Sequence, residues 1–329
     1  MRGKNVEDTN NSLKSHNNIK KIVTIIIGII VVLGSFLLFI RPSDSKGQEL
    51  ESDENIIDSD KIKQEIVKED KNKDKKNHEP QNITGLIIGL DESKVLTDVV
   101  MVVHFDPTSK EIRLISIPRD FYVDFEDPRF SSIKENNPNI KVNYSKLTEV
   151  YNRIKDKDKA VKAIKEIAEQ IVGFPLDYYV KIDLDGFKAV IDLVGGVEVE
   201  LPNGDTQILD SEKAEEFVRN RYGHADGDFG RIRMQQLVIK SLTKKIMEMR
   251  NPVEISKVVR EGYKNIETDF SLLDGMKYIQ YLLDVKSEDI FQNKNMVTIP
   301  TKGEKIDGIW YEMQDKEKTK EILDKLFEL

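Results

Sequence analysis

The chain has no cysteine among its 329 residues. Disulfide frameworks and thiolate chemistry are therefore excluded. Histidine is almost as scarce: the four copies, at 16, 78, 104 and 224, are scattered, so no histidine-based metal centre is expected. There is no P-loop, no G-x-S-x-G and no H-E-x-x-H, which removes the common nucleotide, serine-hydrolase and zinc-protease signatures. With 51 basic against 59 acidic residues the net charge is −8, and non-specific binding to nucleic acid is not expected.

One long apolar run is present. Residues 22–40 (IVTIIIGIIVVLGSFLLFI) carry no charge. As a helix rising about 1.5 Å per residue they cover the roughly 30 Å hydrocarbon core of a bilayer. Arg2, Lys4, Lys14, Lys20 and Lys21 precede the run, and only Arg41 and Lys46 fall in the twenty residues after it. The positive-inside rule then predicts a single-pass anchor with a short cytoplasmic tail, residues 1–21. The competing reading is a cleaved signal peptide. Such peptides have shorter apolar regions and small residues next, whereas Arg41-Pro42-Ser43-Asp44 follows here. The rest of the chain is expected outside the cell membrane, and a protein there without disulfides fits a bacterial surface.

Residues 41–82 are dominated by Asp, Glu, Lys, Asn, Gln and Ser. That composition cannot bury enough apolar surface to fold alone and reads as a charged stalk. From Ile83 the texture changes. ITGLIIGL reads as a buried strand ending at Asp91, and Val99–Phe105 with Glu111–Ile117 as a hairpin. Residues 126–141 read as a long loop. Asp158–Val172 places Val161, Ile164, Ala168 and Ile171 on one helical stripe, with Gly173 suited to the C′ position. Tyr178–Ile182 is a strand, Asp183–Val194 a helix ended by Gly195-Gly196, and Val197–Leu201 another strand. Glu212–Val218, Arg231–Met249 and Lys316–Phe327 are helices. A strand–helix–strand unit of this length favours a sheet covered by helices. The expectation is an α/β domain over 83–329: three layers, α/β/α, around a central mixed sheet.

Arginine use locates the chemistry. Only 12 of the 51 basic residues are Arg, yet Arg219, Arg221, Arg231 and Arg233 fall within 15 residues. Lysine suffices for solubility; arginine adds a rigid, always-charged fork that grips phosphate with two hydrogen bonds. An oxyanion ligand is one reading, and a surface network with Asp226 and Asp228 the other. Arg231 and Gln235 share a face at the positive end of a helix, a suitable anion site. Asp228 could simply cap that helix. Arg233 points elsewhere. Asp91 closes one strand and Asp98 opens the next, so both reach one sheet edge if the strands pair. Mg²⁺ commonly takes one or two carboxylates plus substrate phosphate; a turn residue and a strand-start residue are the plainer alternative.

These pieces form an ordered series: Gly89-Leu90-Asp91, Thr97-Asp98, Ser116-Ile117-Pro118-Arg119-Asp120, Pro175-Leu176-Asp177-Tyr178-Tyr179, Asp185-Gly186-Phe187, Gly195-Gly196-Val197-Glu198-Val199, Phe217-Val218-Arg219-Asn220-Arg221 and Asp226-Gly227-Asp228-Phe229-Gly230-Arg231-Ile232-Arg233-Met234-Gln235-Gln236. Each motif is weak alone. In this order, after one apolar run, the chain resembles the LytR-CpsA-Psr family from about 84 to 245, with an echo at Thr298-Ile299-Pro300 and Gly308-Ile309-Trp310-Tyr311. The resemblance implies a transferase that moves a phosphate-linked glycan, such as teichoic acid or capsule, from a polyprenyl pyrophosphate carrier to peptidoglycan. By that likeness Asp91 and Asp98 hold Mg²⁺. Arg119, Arg219, Arg221, Arg231 and Gln235 hold the pyrophosphate. Asp98, Arg119 and Asp228 are the catalytic set. The partners implied are the lipid-linked glycan, peptidoglycan and the lipid bilayer, in an envelope of Gram-positive type. The family usually has Arg two residues before the second Asp; here Leu96 stands there, and one clamp is missing unless Lys94 reaches in. That departure keeps two alternatives open: a non-catalytic polyprenyl-phosphate-binding regulator, and a lipid pyrophosphatase.

Overall fold

A computed structural model describes residues 82–109, 111–219, 227–249, 258, 261–262, 264–270 and 293–327. The tail, the apolar run at 22–40 and the stalk lie outside the described residues. Among the described residues no helix is long and apolar enough to cross a membrane.

Strands β1 (Ile83–Leu90), β2 (Thr97–Asp106) and β3 (Glu111–Ser116) form an antiparallel meander. β6 (Tyr178–Ile182) lies parallel to β1 on its other side, β9 (Ile266–Thr268) pairs antiparallel with β6, and β10 (Met296–Thr298) runs parallel to β3. The central sheet therefore has the order β10-β3-β2-β1-β6-β9 and is mixed. Period-two alternation gives its two faces different tasks. Leu86, Ile88, Val100, Val102 and Ile115 enter a large core with helices α2 (Leu147–Arg153), α3 (Lys157–Val172) and α7 (Lys316–Phe327). Ile87, Gly89, Val99, Val180 and Ile182 face the other way, toward α4 (Leu184–Leu193) and α6 (Asp228–Glu248). Both faces are covered, which is why β1 reads as one continuous apolar run.

Local signals account for most elements. In α3 the Asp156 side chain accepts a hydrogen bond from the Lys159 amide, and Gly173 closes the helix at φ 84°. The stripe Val161, Ile164, Ala168 and Ile171 is buried. Asp183 caps α4 through the Gly186 amide. Helix α5 (Ser211–Arg219) packs beside α4 and α6.

Two expectations need correction. The stretch 126–141 is not all loop: α1 (Ser131–Asn136) lies within it, because Phe130 and Ile133 drop into the core and pin one turn and a half of helix there. The strand after α4, β7 (Val197–Glu200), does not return to the central sheet. Gly195 and Gly196, both at positive φ, redirect the chain, and β7 pairs with β8 (Thr206–Leu209) in a separate two-stranded sheet. Two further antiparallel pairs, β4 (Tyr122–Asp124) with β5 (Tyr144–Lys146) and the hairpin of β11 (Thr301–Ile306) with β12 (Ile309–Gln314), complete the described strands.

Candidate active site

The packing of α6 across β1, β2 and β6 leaves a cavity of about 670 Å³, within the size range of ligand pockets. Its chemistry divides along its length. Asp91, Asp98, Arg119, Arg219, Arg231 and Gln235 contribute polar groups, while Val99, Val180, Phe187, Val238, Ile239 and Leu242 are among the residues of the apolar wall. One helical stripe explains the gradient. Arg231, Gln235, Val238 and Leu242 recur every three or four residues on α6, so that face starts polar and becomes apolar.

A bulge aims Asp98. Gly89 pairs with Val99 and Leu90 pairs with Thr97, so Asp98 is the extra residue in β2. Asp98 and Val99 consequently both line the cavity, which two successive residues of a regular strand would not do. Gly89 is required there: a Cβ would stand 2.8 Å from the Cβ of Val99.

Asp91 and Asp98 do reach the same end of the β1–β2 pair. The Asp91 carboxylate organises the turn, accepting from the amides of Val95 (3.0 Å) and Leu96 (2.8 Å) and from the Ser93 hydroxyl (2.5 Å). Burial opposes its ionisation, but those hydrogen bonds outweigh burial and hold its pKa below the usual range. Asp91 and Asp98 line one cavity, and two carboxylates are what a hard cation also touching substrate phosphate would take.

Arg119 is the hub. Its Nη1 donates to Asp98 Oδ1 at 2.6 Å, and its Nε lies 3.6 Å from Asp228 Oδ1 and 3.9 Å from Asp120 Oδ1. Asp228 also pairs with Arg231 at 2.5 Å. Asp228 is not the N-cap of α6 but its first residue; Gly227 takes the cap position with φ 58° and ψ −114°, a conformation that glycine tolerates. The carboxylate lies within ion-pair reach of two arginines, Arg119 and Arg231. Arg231 is only 2% exposed, so its charge is held by neighbours rather than by water. Gln235 is buried, and its Nε2 approaches the Val218 carbonyl at 3.4 Å. Arg233 is exposed and is not part of the lining.

Arg219 is different. It ends α5 half exposed, paired with Glu215 (2.6 Å) and, across the cavity mouth, with Glu92 (3.0 Å). Nothing in the sequence pointed to Glu92. Arg221 lies outside the described residues. Lys94 does not reach in: held at φ 58°, it pairs with Asp183 (2.8 Å) and Asp185 (2.9 Å), hydrogen bonds that raise its pKa. Leu96 lines the cavity. Gln236, adjacent to the site in sequence, is structural; it bonds Ser116 Oγ at 2.8 Å and the Val297 carbonyl.

The ordered motifs, on this sheet and around this cavity, agree with the comparison to known sequences: the profile of the LytR_cpsA_psr family matches residues 51–328. The chain belongs to the LytR_cpsA_psr family. It is 28% identical over 316 residues to the polyisoprenyl-teichoic acid–peptidoglycan teichoic acid transferase TagU of Bacillus cereus, covering 89% of this chain and 92% of that protein. It is 27% identical over 212 residues to the transferase TagV of Bacillus subtilis, covering 59% of this chain and half of TagV. The crystal structure of B. subtilis TagV shares the fold with a TM-score of 0.60 at 23% identity, over 76% of this chain and 98% of that one.

Proposed function

We propose that this family member is a membrane-anchored phosphotransferase that links a phosphate-bearing glycopolymer, of teichoic acid or capsule type, from a polyprenyl pyrophosphate carrier to peptidoglycan. The observation that carries this reading is one cavity with arginines and carboxylates at one part and an apolar wall behind. A pyrophosphate joining a sugar to a prenyl chain has the same division. At roughly 0.8 kcal/mol per buried CH₂, a few prenyl units inside contribute several kcal/mol of binding. The names borne by the B. cereus and B. subtilis relatives point to the same chemistry.

Arg119, Arg231 and Gln235 bind the pyrophosphate, joined by Arg219 once the phosphate displaces Glu92, and by Arg221. Their charge neutralises what develops on the transferred phosphoryl group, so catalysis is mainly positioning and electrostatics. Asp228 orients Arg119 and Arg231. Asp91 and Asp98 are the residues that hold Mg²⁺, which supplies further charge neutralisation on the phosphates. A muramic acid hydroxyl attacks, its proton passing to a carboxylate at the rim, and polyprenyl phosphate leaves. The anchor is Ile22–Ile40. It keeps the enzyme in the leaflet that carries its lipid substrate and so raises effective concentration.

Purified protein incubated with lipid-pyrophosphate glycan, peptidoglycan and Mg²⁺ is expected to yield linked polymer. Asp98→Ala is expected to lower kcat by about 10²-fold or more, the scale of losing one preorganised charged group. Equal turnover by the two proteins sinks the mechanism. A second reading rests on Leu96 and on Lys94 being tied to Asp183 and Asp185: a binder of polyprenyl phosphates without turnover. Tight lipid binding with no product under any divalent metal would favour it.

A further inference from the structure

Among the described residues only three large hydrophobic side chains are strongly exposed, Ile208, Ile309 and Trp310, and two of them are neighbours on β12. Trp310 is 48% exposed but not loose. Its indole Nε1 donates to Glu312 Oε1 at 2.9 Å, and the Thr301 hydroxyl donates to the other carboxylate oxygen at 2.6 Å. The benzo edge of the ring abuts Gly303, where a Cβ would stand 1.9 Å from Trp310 Cζ2. The indole is thus held at two places on its edge, by Glu312 and by the Gly303 backbone, and about half of the side chain meets water. The cost of ordering it is met before any ligand arrives.

The hairpin that carries this ring is attached to the active-site segment. The Glu312 amide donates to the Asp120 carbonyl at 2.9 Å, and Phe121 bridges Glu312. Asp120 follows Arg119, the hub of the cavity rim. Trp310 itself is not among the residues of the cavity wall. Lys305 stands directly across the hairpin from it, while Lys302 and Glu304 lie on the other face. Ile309 and Trp310, successive residues of a regular strand, point to opposite faces of the hairpin, so neither face carries an apolar patch fit for a stable protein interface, which buries about 1,200 Å² or more. A flat, fixed aromatic face with hydrogen-bonding neighbours instead suits the apolar face of a sugar ring.

We propose that Trp310 is a stacking platform for the acceptor glycan strand of peptidoglycan, presenting it to the phosphate held at Arg119; this rests on the transferase reading above. In-line displacement requires the acceptor hydroxyl to approach opposite the departing polyprenyl phosphate. The departing group is bound in the cavity, so acceptor contacts belong outside it, as Trp310 is.

Trp310 is the only tryptophan in the chain, so its emission reports on this site alone. Titrating the protein with soluble peptidoglycan strands stripped of wall polymer is expected to give a saturable emission change. Trp310→Ala is expected to weaken binding of these strands about tenfold, the scale of losing one aromatic anchor. It should raise the acceptor KM by a similar factor while leaving binding of a short-chain polyprenyl phosphate unchanged. Trp310→Phe should retain most of the affinity. An unchanged emission overturns the proposal, as does a response to lipid-free wall polymer but not to peptidoglycan strands, and as does equal strand binding by wild type and Trp310→Ala. An emission change without transfer under any condition would overturn the transferase reading and leave the glycan platform standing.

Discussion

At the scale of single residues, His104 shows how a side chain near no chemistry still shapes behaviour. It is buried, shares a hydrogen bond with Thr84 Oγ1 at 3.0 Å, and meets the rings of Phe174 and Phe327 edge-on. Burial, helped by the positive charge of Arg113, pushes its pKa down to about 4 from an ordinary 6.5. The unfolded chain therefore takes up this proton more readily than the folded one. The associated stability is complete above about pH 6.5 and is lost as the pH falls toward 4. Its upper bound, at 1.36 kcal/mol per unit, is about 3 kcal/mol. Urea denaturation of the wild type should show this fall, and His104→Gln should flatten that part of the curve. Parallel curves for the two proteins would assign the acid sensitivity elsewhere. Arg231 and Arg219 show the same lesson at the site: neighbours in sequence terms, one is enclosed beside Asp228 and the other is shared between Glu215 and Glu92 in water.

At the scale of elements, the β1–β2 pair is the most consequential. A regular ladder would send Asp98 and Val99 to opposite faces; the bulge at Gly89/Leu90 lets both serve the cavity. Gly89 and Val99 are coupled through the 2.8 Å approach that a new Cβ would make. Gly89→Ala should destabilise the protein by about 1–3 kcal/mol through overpacking. It should also cost activity, because the bulge that aims Asp98 must shift. Adding Val99→Gly removes the obstructing Cβ together with its methyls, and the double variant should regain part of both losses. Thermal unfolding and turnover, measured on all four proteins as a double-mutant cycle, check this. Additive effects would mean that the contact does not hold the bulge. Helix α6 is the second key element. Gly227 rather than Asp228 occupies its cap, so the first carboxylate of the helix is available to two arginines.

At the scale of the whole molecule, the two faces of the central sheet divide the work. One is filled by α2, α3 and α7 and forms the main core; on the other, α6 stands off far enough to leave the cavity. Filling that space should separate the lipid from the phosphate. Ile239→Trp is expected to weaken binding of a long polyprenyl phosphate by tenfold or more, about 1.4 kcal/mol. Binding of inorganic pyrophosphate, which needs only the arginine end, should stay within about twofold of wild type. Isothermal titration with both probes reads the difference. Equal losses for the two would show that the apolar wall does not hold the lipid.

Much of this protein was legible in one dimension. Continuous apolar runs marked β1 and β2, an apolar stripe with Gly173 marked α3, and the shift from lysine to arginine marked Arg219 and Arg231, which line the cavity, together with Arg233, which does not. These signals are local: backbone periodicity, capping chemistry and side-chain type act over a few residues, so they survive in the sequence. The α1 turn was hidden because asparagine and proline around it mask two buried apolar anchors, Phe130 and Ile133. Other decisions were made only by packing. The distance at which α6 crosses the sheet creates the cavity, the bulge turns Asp98 into it, Asp183 and Asp185 draw Lys94 away from it, and Gly303 gives Trp310 its bed. Each depends on groups far apart along the chain meeting at fixed distances, and composition or spacing carries no record of such meetings.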